Sequence, residues 1–318
     1  MSVFEFPMVF PADGASLVGR VYRNVDDLVT PQPAVVVTGS WLTVKEQMAR
    51  TYALRLAEQG ITAFTFDFTG FGQSGGAPRQ LELPARKIAD IAAAADFLST
   101  MSFVREGGVG YVGICASAQY ALAAIARGAR IRSFVSIAGW YHDAESVAAF
   151  YGGTEGARLR IGRAREALEI WATSGDVIMV PAYRPGDDRA GMFFELDYYA
   201  NPRRGAVPEW KNEMAEMSWL FWLTFDGMRS AGEVSVPTFS EPNPQAPGTC
   251  GKQRPGVDIR IVDAHDLEVP VGVAGDVGPV AHEGDPGAVP RPSRVGIERG
   301  VVGHVRDDAG GDLEHGHL

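Results

Sequence analysis

The chain has 318 residues, a net charge of −10 and the apolar and charged fractions of a globular protein. The negative charge argues against non-specific binding of nucleic acid, and no apolar run approaches the length of a membrane span. Two cysteines, Cys115 and Cys250, are too few for a disulfide framework, and the first residues lack the pattern of a signal peptide, so we expect a cytoplasmic protein.

The first half of the chain alternates strand patterns with helix patterns. A turn at Asp13-Gly14 joins two predicted strands, and short runs of β-branched residues then alternate with segments of helical spacing. The predicted strands cover residues 3–10, 16–22, 34–37, 61–66, 109–112 and 131–138, and the predicted helices cover residues 44–59, 83–101 and 118–127. This alternation predicts an α/β fold with a doubly wound, mostly parallel sheet, whose ligands bind beyond the carboxyl ends of the strands.

The strand at 109–112 runs into Gly113-Ile114-Cys115-Ala116-Ser117 and then directly into a helix. Such a strand–turn–helix places one side chain at the tip of a sharp turn, which requires small neighbours. The helix N-terminus favours a thiolate at Cys115, and the backbone N–H of Ala116 points to where an oxyanion would form. Cys115 is therefore a candidate nucleophile. The alternative is a buried structural cysteine, because free cysteine is among the most buried residue types.

Residues 144–232 break the alternation of strands and helices. The segment is rich in helix-forming residues and in large aromatic residues, which predicts a helical insertion. Its aromatic side chains form either the core of that insertion or a cap lining an acyl pocket over Cys115. Residues 233–239 then have the pattern of a strand that returns to the main sheet.

Three segments at predicted strand ends carry a resemblance to a known family. They are the cysteine turn, Thr38-Gly39-Ser40-Trp41, and Asp67-x-x-Gly70-x-Gly72-x-Ser74-x-Gly76. Together they resemble the α/β-hydrolase superfamily. The Gly-x-Cys-x-Ser elbow is similar to that of the dienelactone hydrolase branch, and the Thr-Gly-Ser-Trp loop is similar to polyketide-transferase-like members of it.

The resemblance implies an α/β-hydrolase fold with a helical cap and assigns roles to individual residues. Cys115 would be the nucleophile, and the backbone N–H groups of Ala116 and of Ser40 or Trp41 would form the oxyanion hole. The implied substrate is a small acyl compound, namely an ester, lactone or thioester. No metal or organic cofactor is implied.

The family pattern also requires an acid and a histidine on later loops, and there the sequence departs from it. No Phe, Trp or Tyr follows Phe239, so the end of the chain lacks the large apolar groups that offset ordering entropy. Two explanations are open, a shifted reading frame near Ser240 or a disordered acidic tail. Glu241 is the only carboxylate near the expected acid position, and five of the six histidines lie in this tail: His265, His282, His304, His315 and His317.

His142 is the one histidine outside the tail. It follows a predicted strand on the same edge of the sheet as Cys115, with Asp143 beside it. It is a candidate base lining the site; the interpretation we favour is that it anchors the start of the cap. Asp67 and Arg79 are interpreted as structural ties.

The predicted organisation is a hydrolase core over residues 1–143, a helical cap over 144–232, a return strand over 233–239 and an atypical tail over 240–318. The predicted function is hydrolysis of an ester, lactone or thioester by cysteine attack. The alternatives are an acyltransferase of the same fold and a catalytically impaired binding protein that lacks the usual acid and histidine. No nucleic-acid or membrane partner is expected, and the oligomeric state stays open.

Overall fold

The computed structural model describes residues 2–241. Its strands are β1 (Phe4–Ala12), β2 (Ala15–Arg23), β3 (Gln32–Thr38), β4 (Thr62–Phe66), β5 (Val104–Ile114), β6 (Ile131–Ile137), β7 (Met179–Val180), β8 (Met214–Ala215) and β9 (Thr238–Glu241). Its helices are α1 (Met48–Glu58), α2 (Pro84–Ser99), α3 (Ala116–Ala126), α4 (Ala144–Ala148), α5 (Gly153–Ser174), α6 (Asp197–Ala200) and α7 (Ser218–Leu223).

The main sheet of the described residues has seven strands in the order β1-β2-β4-β3-β5-β6-β9. The pairs β1–β2 and β2–β4 are antiparallel, and the other pairs are parallel. Thr38 is in register with Gly113, and Ile114 is in register with Ile137. The loops that follow β3, β5 and β6 therefore emerge side by side at one edge. The predicted α/β fold with a mostly parallel sheet is confirmed.

Helices cover both faces of the parallel strands, which explains the run of small and β-branched residues in β3. Val35 and Val37 of β3 pack in a cluster with Ala53 of α1. Val36 points to the opposite face and belongs to the larger cluster that contains Ile91 of α2. The alternation of side chains along one strand thus supplies both halves of the core.

Several predicted boundaries differ from the structure, among them those of α1, β5 and α3. α1 begins at Met48 rather than at residue 44, because the amide N–H groups of Val44 and Lys45 donate to the side chains of Gln47 and Asp67. β5 begins at Val104, before the predicted strand, and its pairing with β3 shifts register there. α3 begins two residues earlier than predicted, immediately after Cys115.

The segment between β6 and β9 contains α4 to α7 and the small β7–β8 pair. α5 and α7 pack against each other, and the buried rings of Trp219 and Trp222 on α7 join the main core cluster. No helix in the described part of the chain is long and apolar enough to cross a membrane. Of the predicted tail, residues 242–318 lie outside the described residues.

The tight junction between β5 and α3 predicts a strict requirement for glycine at position 113. A Cβ on Gly113 would lie 2.8 Å from the Cα of Ala118. We expect Gly113→Ala to lower the free energy of unfolding by about 1–3 kcal/mol, because the backbone must move to relieve the overlap. Urea denaturation measures this change.

Gly162, inside α5, provides the matched control, because a Cβ there meets no atom within 4 Å. Gly162→Ala should raise the free energy of unfolding by about 0.5–1 kcal/mol through helix propensity. Equal stability of Gly113→Ala and the parent protein would contradict the described packing.

Candidate functional site

Cys115 occupies the turn between β5 and α3 with φ 56° and ψ −123°. Residues other than glycine rarely adopt a positive φ, and such strain persists only where neighbouring bonds hold it. The amide of Cys115 donates to the carbonyl of Ile137 at 3.0 Å, and its carbonyl accepts from Trp140 at 3.0 Å and from Ala118 at 3.1 Å. The side chain is partly buried. Cys115 is thus presented at the tip of the turn, at the N-cap of α3.

The usual nucleophile elbow has the sequence Gly-x-Ser-x-Gly, and Ser117 occupies the position of its second glycine. The hydroxyl of Ser117 forms hydrogen bonds that a glycine could not form. The Oγ accepts from the amide of Ile114 at 2.9 Å and lies 3.0 Å from the carbonyl oxygens of both Thr38 and Ile114, to which it can donate. The hydroxyl therefore ties the cysteine turn to the end of β3. The local sequence around Ser117 does not predict this bond, because its partner Thr38 lies 79 positions earlier.

The loop after β3 carries the predicted oxyanion-hole residues Ser40 and Trp41. The carbonyl of Ser40 accepts from the Oγ1 of Thr43 at 2.6 Å and from its amide at 3.3 Å, and Leu42 has φ 60°. Among the backbone hydrogen bonds of the described loops and turns, none uses the N–H of Ser40, Trp41 or Ala116 as donor. These N–H groups are free of backbone acceptors at the edge where Cys115 lies.

The segment between β6 and β9 contacts this loop through two polar side chains. The hydroxyl of Tyr199 lies 3.0 Å from the Oγ of Ser40, and the indole N–H of Trp210 donates to the carbonyl of Leu42 at 2.8 Å. The segment therefore supports the loop as well as covering it. Sequence reasoning missed both residues, because nothing in their local pattern points to a partner about 160 positions earlier.

Aromatic rings surround the region of Cys115. Trp41 stacks on Trp222 with ring centroids 4.5 Å apart, and Trp140 lies 6.1 Å from the same ring. Trp140 also contacts Phe150 at 4.7 Å. All of these rings belong to or pack against the main core cluster, and Cys115 packs against it as well. The packed surroundings of Cys115 on this side are therefore apolar.

His142 is buried and both of its ring nitrogens have partners. The Nδ1 accepts from the indole N–H of Trp140 at 2.6 Å, and the Nε2 lies 2.9 Å from the carbonyl of Trp222. Since a carbonyl only accepts, the proton resides on Nε2. Burial lowers the pKa of His142 to about 4, so the ring is neutral.

These bonds place His142 between the loop after β6 and α7, which is the anchoring arrangement. A role as base would require the Nδ1 lone pair to leave Trp140. Catalysis by His142 stays a prediction.

A second set of buried polar side chains includes Tyr120 of α3. Tyr120 donates its hydroxyl proton to the Oε1 of Glu82 at 2.6 Å, and the Oε2 of Glu82 pairs with Lys87 at 2.7 Å. Burial, reinforced by the Glu82 carboxylate, raises the pKa of Tyr120 well above its usual range. The amide of Glu82 donates to the Oγ of Ser218 at the start of α7. Glu82 therefore links α3 to α7 through its side chain and its amide.

Most of the candidate acids and bases predicted in the tail lie beyond residue 241. The five tail histidines and Cys250 lie outside the described residues. Glu241 is the last residue of β9. An acid or base contributed by the tail is therefore outside the described structure.

No protein-family model matches the sequence. Individual relatives and solved structures do match it. A thiohydrolase of Eupenicillium brefeldianum is 31% identical over 216 residues, which cover 64% of this chain and 67% of that protein. The chain belongs to the α/β-hydrolase superfamily. The crystal structure of PA2218 from Pseudomonas aeruginosa agrees, with 25% identity, a TM-score of 0.65 and coverage of 75% of this chain and 77% of that one.

Two further proteins resemble this α/β-hydrolase, one in fold and one in sequence. The α/β hydrolase GrgF from Penicillium sp. sh18 has a TM-score of 0.60 at 19% identity, over 76% of this chain and 79% of that one, and so shares the fold. Polyketide transferase claH of Penicillium crustosum is 35% identical over 126 residues, 39% of this chain and 41% of that protein. In sequence, the chain spans less than half the length of several curated relatives, including PA2218 at 47%.

The buried neutral state of His142 predicts a pH dependence of stability. Its pKa is about 4 in the folded protein and 6.5 for an unperturbed histidine, so the unfolded state binds the proton more readily between these values. The free energy of unfolding should therefore fall as pH drops from about 6.5 to about 4, by up to roughly 3 kcal/mol from this residue.

His142→Gln tests this dependence, because a glutamine can still accept from Trp140 and donate to Trp222 but does not titrate. Urea denaturation of both proteins between pH 4.5 and 7.5 measures the difference in the free energy of unfolding. The carboxylates are the same in both proteins, so their titration cancels in this difference. Parallel pH profiles would show that His142 is not buried in its neutral form.

Proposed function

We propose that this α/β-hydrolase is an acyl-transfer enzyme that attacks an ester, lactone or thioester carbonyl with Cys115. The observation that carries the proposal is the strained, partly buried Cys115 at the N-cap of α3, next to N–H groups that lack backbone acceptors. A side chain in such a turn is poised for attack, and backbone N–H groups at a helix N-terminus stabilise an oxyanion.

In the proposed reaction the thiol proton passes to a base, and the thiolate of Cys115 bonds to the carbonyl carbon. The carbonyl oxygen becomes an oxyanion that accepts from the N–H of Ala116 and from Ser40 or Trp41. Collapse of this intermediate breaks the bond to the alcohol or thiol, which takes up the proton held by the base. Water then attacks the acyl-enzyme, which releases the carboxylic acid and restores the thiol of Cys115. His142 is the candidate base among the described residues. The bond from Trp140 must open for it to act.

Thioesters are the best supported substrate class. A relative that matches 64% of this chain at 31% identity is named a thiohydrolase. The rings of Trp41, Trp140 and Trp222 make an apolar surrounding that suits an uncharged acyl group. We propose that residues 144–232 form a cap that shapes this surrounding.

A second candidate is transfer of the acyl group to an acceptor other than water. The 35% identity with polyketide transferase claH supports it. Both reactions share the acyl-enzyme and differ in the molecule that resolves it. A binding protein without catalysis remains the third alternative, since the sequence departs from the family pattern for the acid and the histidine.

The decisive test is replacement of Cys115. We expect Cys115→Ala to lower kcat at least about a thousandfold on a short-chain N-acetylcysteamine thioester, because no acyl-enzyme forms without the thiol. Release of the free thiol, followed with a chromogenic disulfide, measures the rate. Intact-protein mass spectrometry after rapid quenching should show an acyl adduct on the parent protein and none on the variant.

Cys250→Ala is the matched control, since it removes the other cysteine of the chain and should retain the parent rate. Unchanged turnover by Cys115→Ala would overturn the proposed nucleophile. A parent protein that neither turns over the thioester nor acquires the acyl adduct would support the binding protein instead.

Product analysis separates hydrolysis from transfer. With a water-resolved acyl-enzyme, adding a primary alcohol or amine at millimolar concentration should leave the free acid as the dominant product. A dominant ester or amide, formed with the parent but not with Cys115→Ala, would favour the acyltransferase. Liquid chromatography with mass detection distinguishes the products.

A further inference from the structure

The glycine-rich segment after β4 builds a cradle for one buried carboxylate. Asp67 is 1% exposed, and its Oδ2 accepts from the amide of Gln73 at 2.9 Å. A Cβ on Gly72, which has φ 45°, would lie 2.2 Å from that oxygen. The glycine therefore leaves room for the carboxylate of Asp67 at a place where any larger residue would displace it.

The Asp67 carboxylate accepts hydrogen bonds from both the main chain and the side chain of Lys45, which lies in the loop that precedes α1. The backbone N–H of Lys45 donates to the Oδ1 at 2.8 Å, and its Nζ donates to the Oδ2 at 2.7 Å. The same Nζ lies 2.7 Å from the Oε1 of Gln73 and 2.7 Å from the Oε1 of Glu46. Lys45 is 2% exposed. Four polar contacts thus hold the main chain and the side chain of one buried residue.

Lys45 ends the loop that carries Ser40 and Trp41. Thr43 closes a turn onto the carbonyl of Ser40, so little freedom remains between that turn and Lys45. At its other end the loop is tied to the cysteine turn by Ser117 and Thr38. Asp67 consequently controls the end of the loop that the cysteine turn does not reach.

We propose that Asp67 and Lys45 are positioning residues for acyl transfer, which place the N–H groups of Ser40 and Trp41 for the oxyanion formed at Cys115. This inference rests on the proposed function. The donors of an oxyanion hole act only when they meet the oxyanion at hydrogen-bond distance, and a displacement of about 1 Å lowers rates about a hundredfold. The two residues contact neither substrate nor Cys115 in this role.

The test uses two variants of the full chain, Lys45→Gln and the double variant Lys45→Met with Asp67→Asn. Lys45→Gln keeps an N–H donor but shortens the reach to Asp67, while the double variant removes the charges of both Lys45 and Asp67. The carboxylate of Glu46, which is 16% exposed, loses its partner in both variants. We expect each to lower kcat 10- to 100-fold on the thioester while KM changes less than about threefold. The rate of Cys115 alkylation by iodoacetamide, measured across pH, should stay as in the parent.

Arg50→Met is the control, because it removes a cation near the start of α1 whose guanidinium pairs with Glu5 at 2.6 Å and takes no part in the Asp67–Lys45 contacts. Its kcat should equal that of the parent. Circular dichroism and thermal unfolding establish that each variant is folded at the assay temperature. If Lys45→Gln and the double variant both fail to fold even at low temperature, the pair is required for folding and the positioning role is rejected.

A folded double variant whose kcat lies within twofold of the parent would overturn the inference. So would a loss confined to KM, or an equal loss of Cys115 alkylation, which would indicate general damage to the site. Failure of the proposed function is seen separately, as full activity of Cys115→Ala. An inactive Cys115→Ala with fully active Lys45 and Asp67 variants rejects only the positioning role.

Discussion

The backbone of Cys115 imposes the constraint on which the rest of the site depends. A φ of 56° with ψ −123° is strained by about 1–3 kcal/mol in a residue other than glycine. The conformation persists because its amide is bonded to Ile137 at the end of β6 and its carbonyl to Trp140 in the loop that follows. Parallel pairing of β5 with β6 supplies these partners, so the sheet itself holds the turn that presents the thiol.

The same constraint extends to the neighbouring loop through Ser117. Because the elbow has a serine where glycine is usual, its hydroxyl can bond to the last carbonyl of β3. The loop that starts there is held by Lys45 on one side and by Trp210 on the other. A loop fixed from several directions keeps its N–H groups in place without reorganising during a reaction, which is the physical basis of electrostatic preorganisation.

Neutral and aromatic groups dominate the remaining surroundings. His142 is neutral because burial disfavours its charged form, and its ring lies 4.4 Å from that of Trp222. In such a medium hydrogen bonds to a developing oxyanion are stronger than in water, because the local dielectric is low. The same medium disfavours a charged acyl group, which is why an uncharged thioester is the substrate class we propose.

Local pattern determined much of this protein in advance. The β-branched runs, the turn at Asp13-Gly14 and the small residues flanking Cys115 predicted the order of elements and the strand–turn–helix, because each signal spans only a few residues. The helix boundary near Lys45 was predicted wrongly, since its amide bonds to a carboxylate 22 positions later. Local spacing does not encode such a bond.

Only the tertiary structure decided how the site is held together. The hydroxyl of Ser117 meets a carbonyl 79 positions away, and the ring of His142 meets one 80 positions away. Sequence reasoning left His142 open between base and anchor because the outcome depends on what occupies its two ring nitrogens. Those partners come from packing α7 and the loop after β6 together, which buries the imidazole and sets its charge.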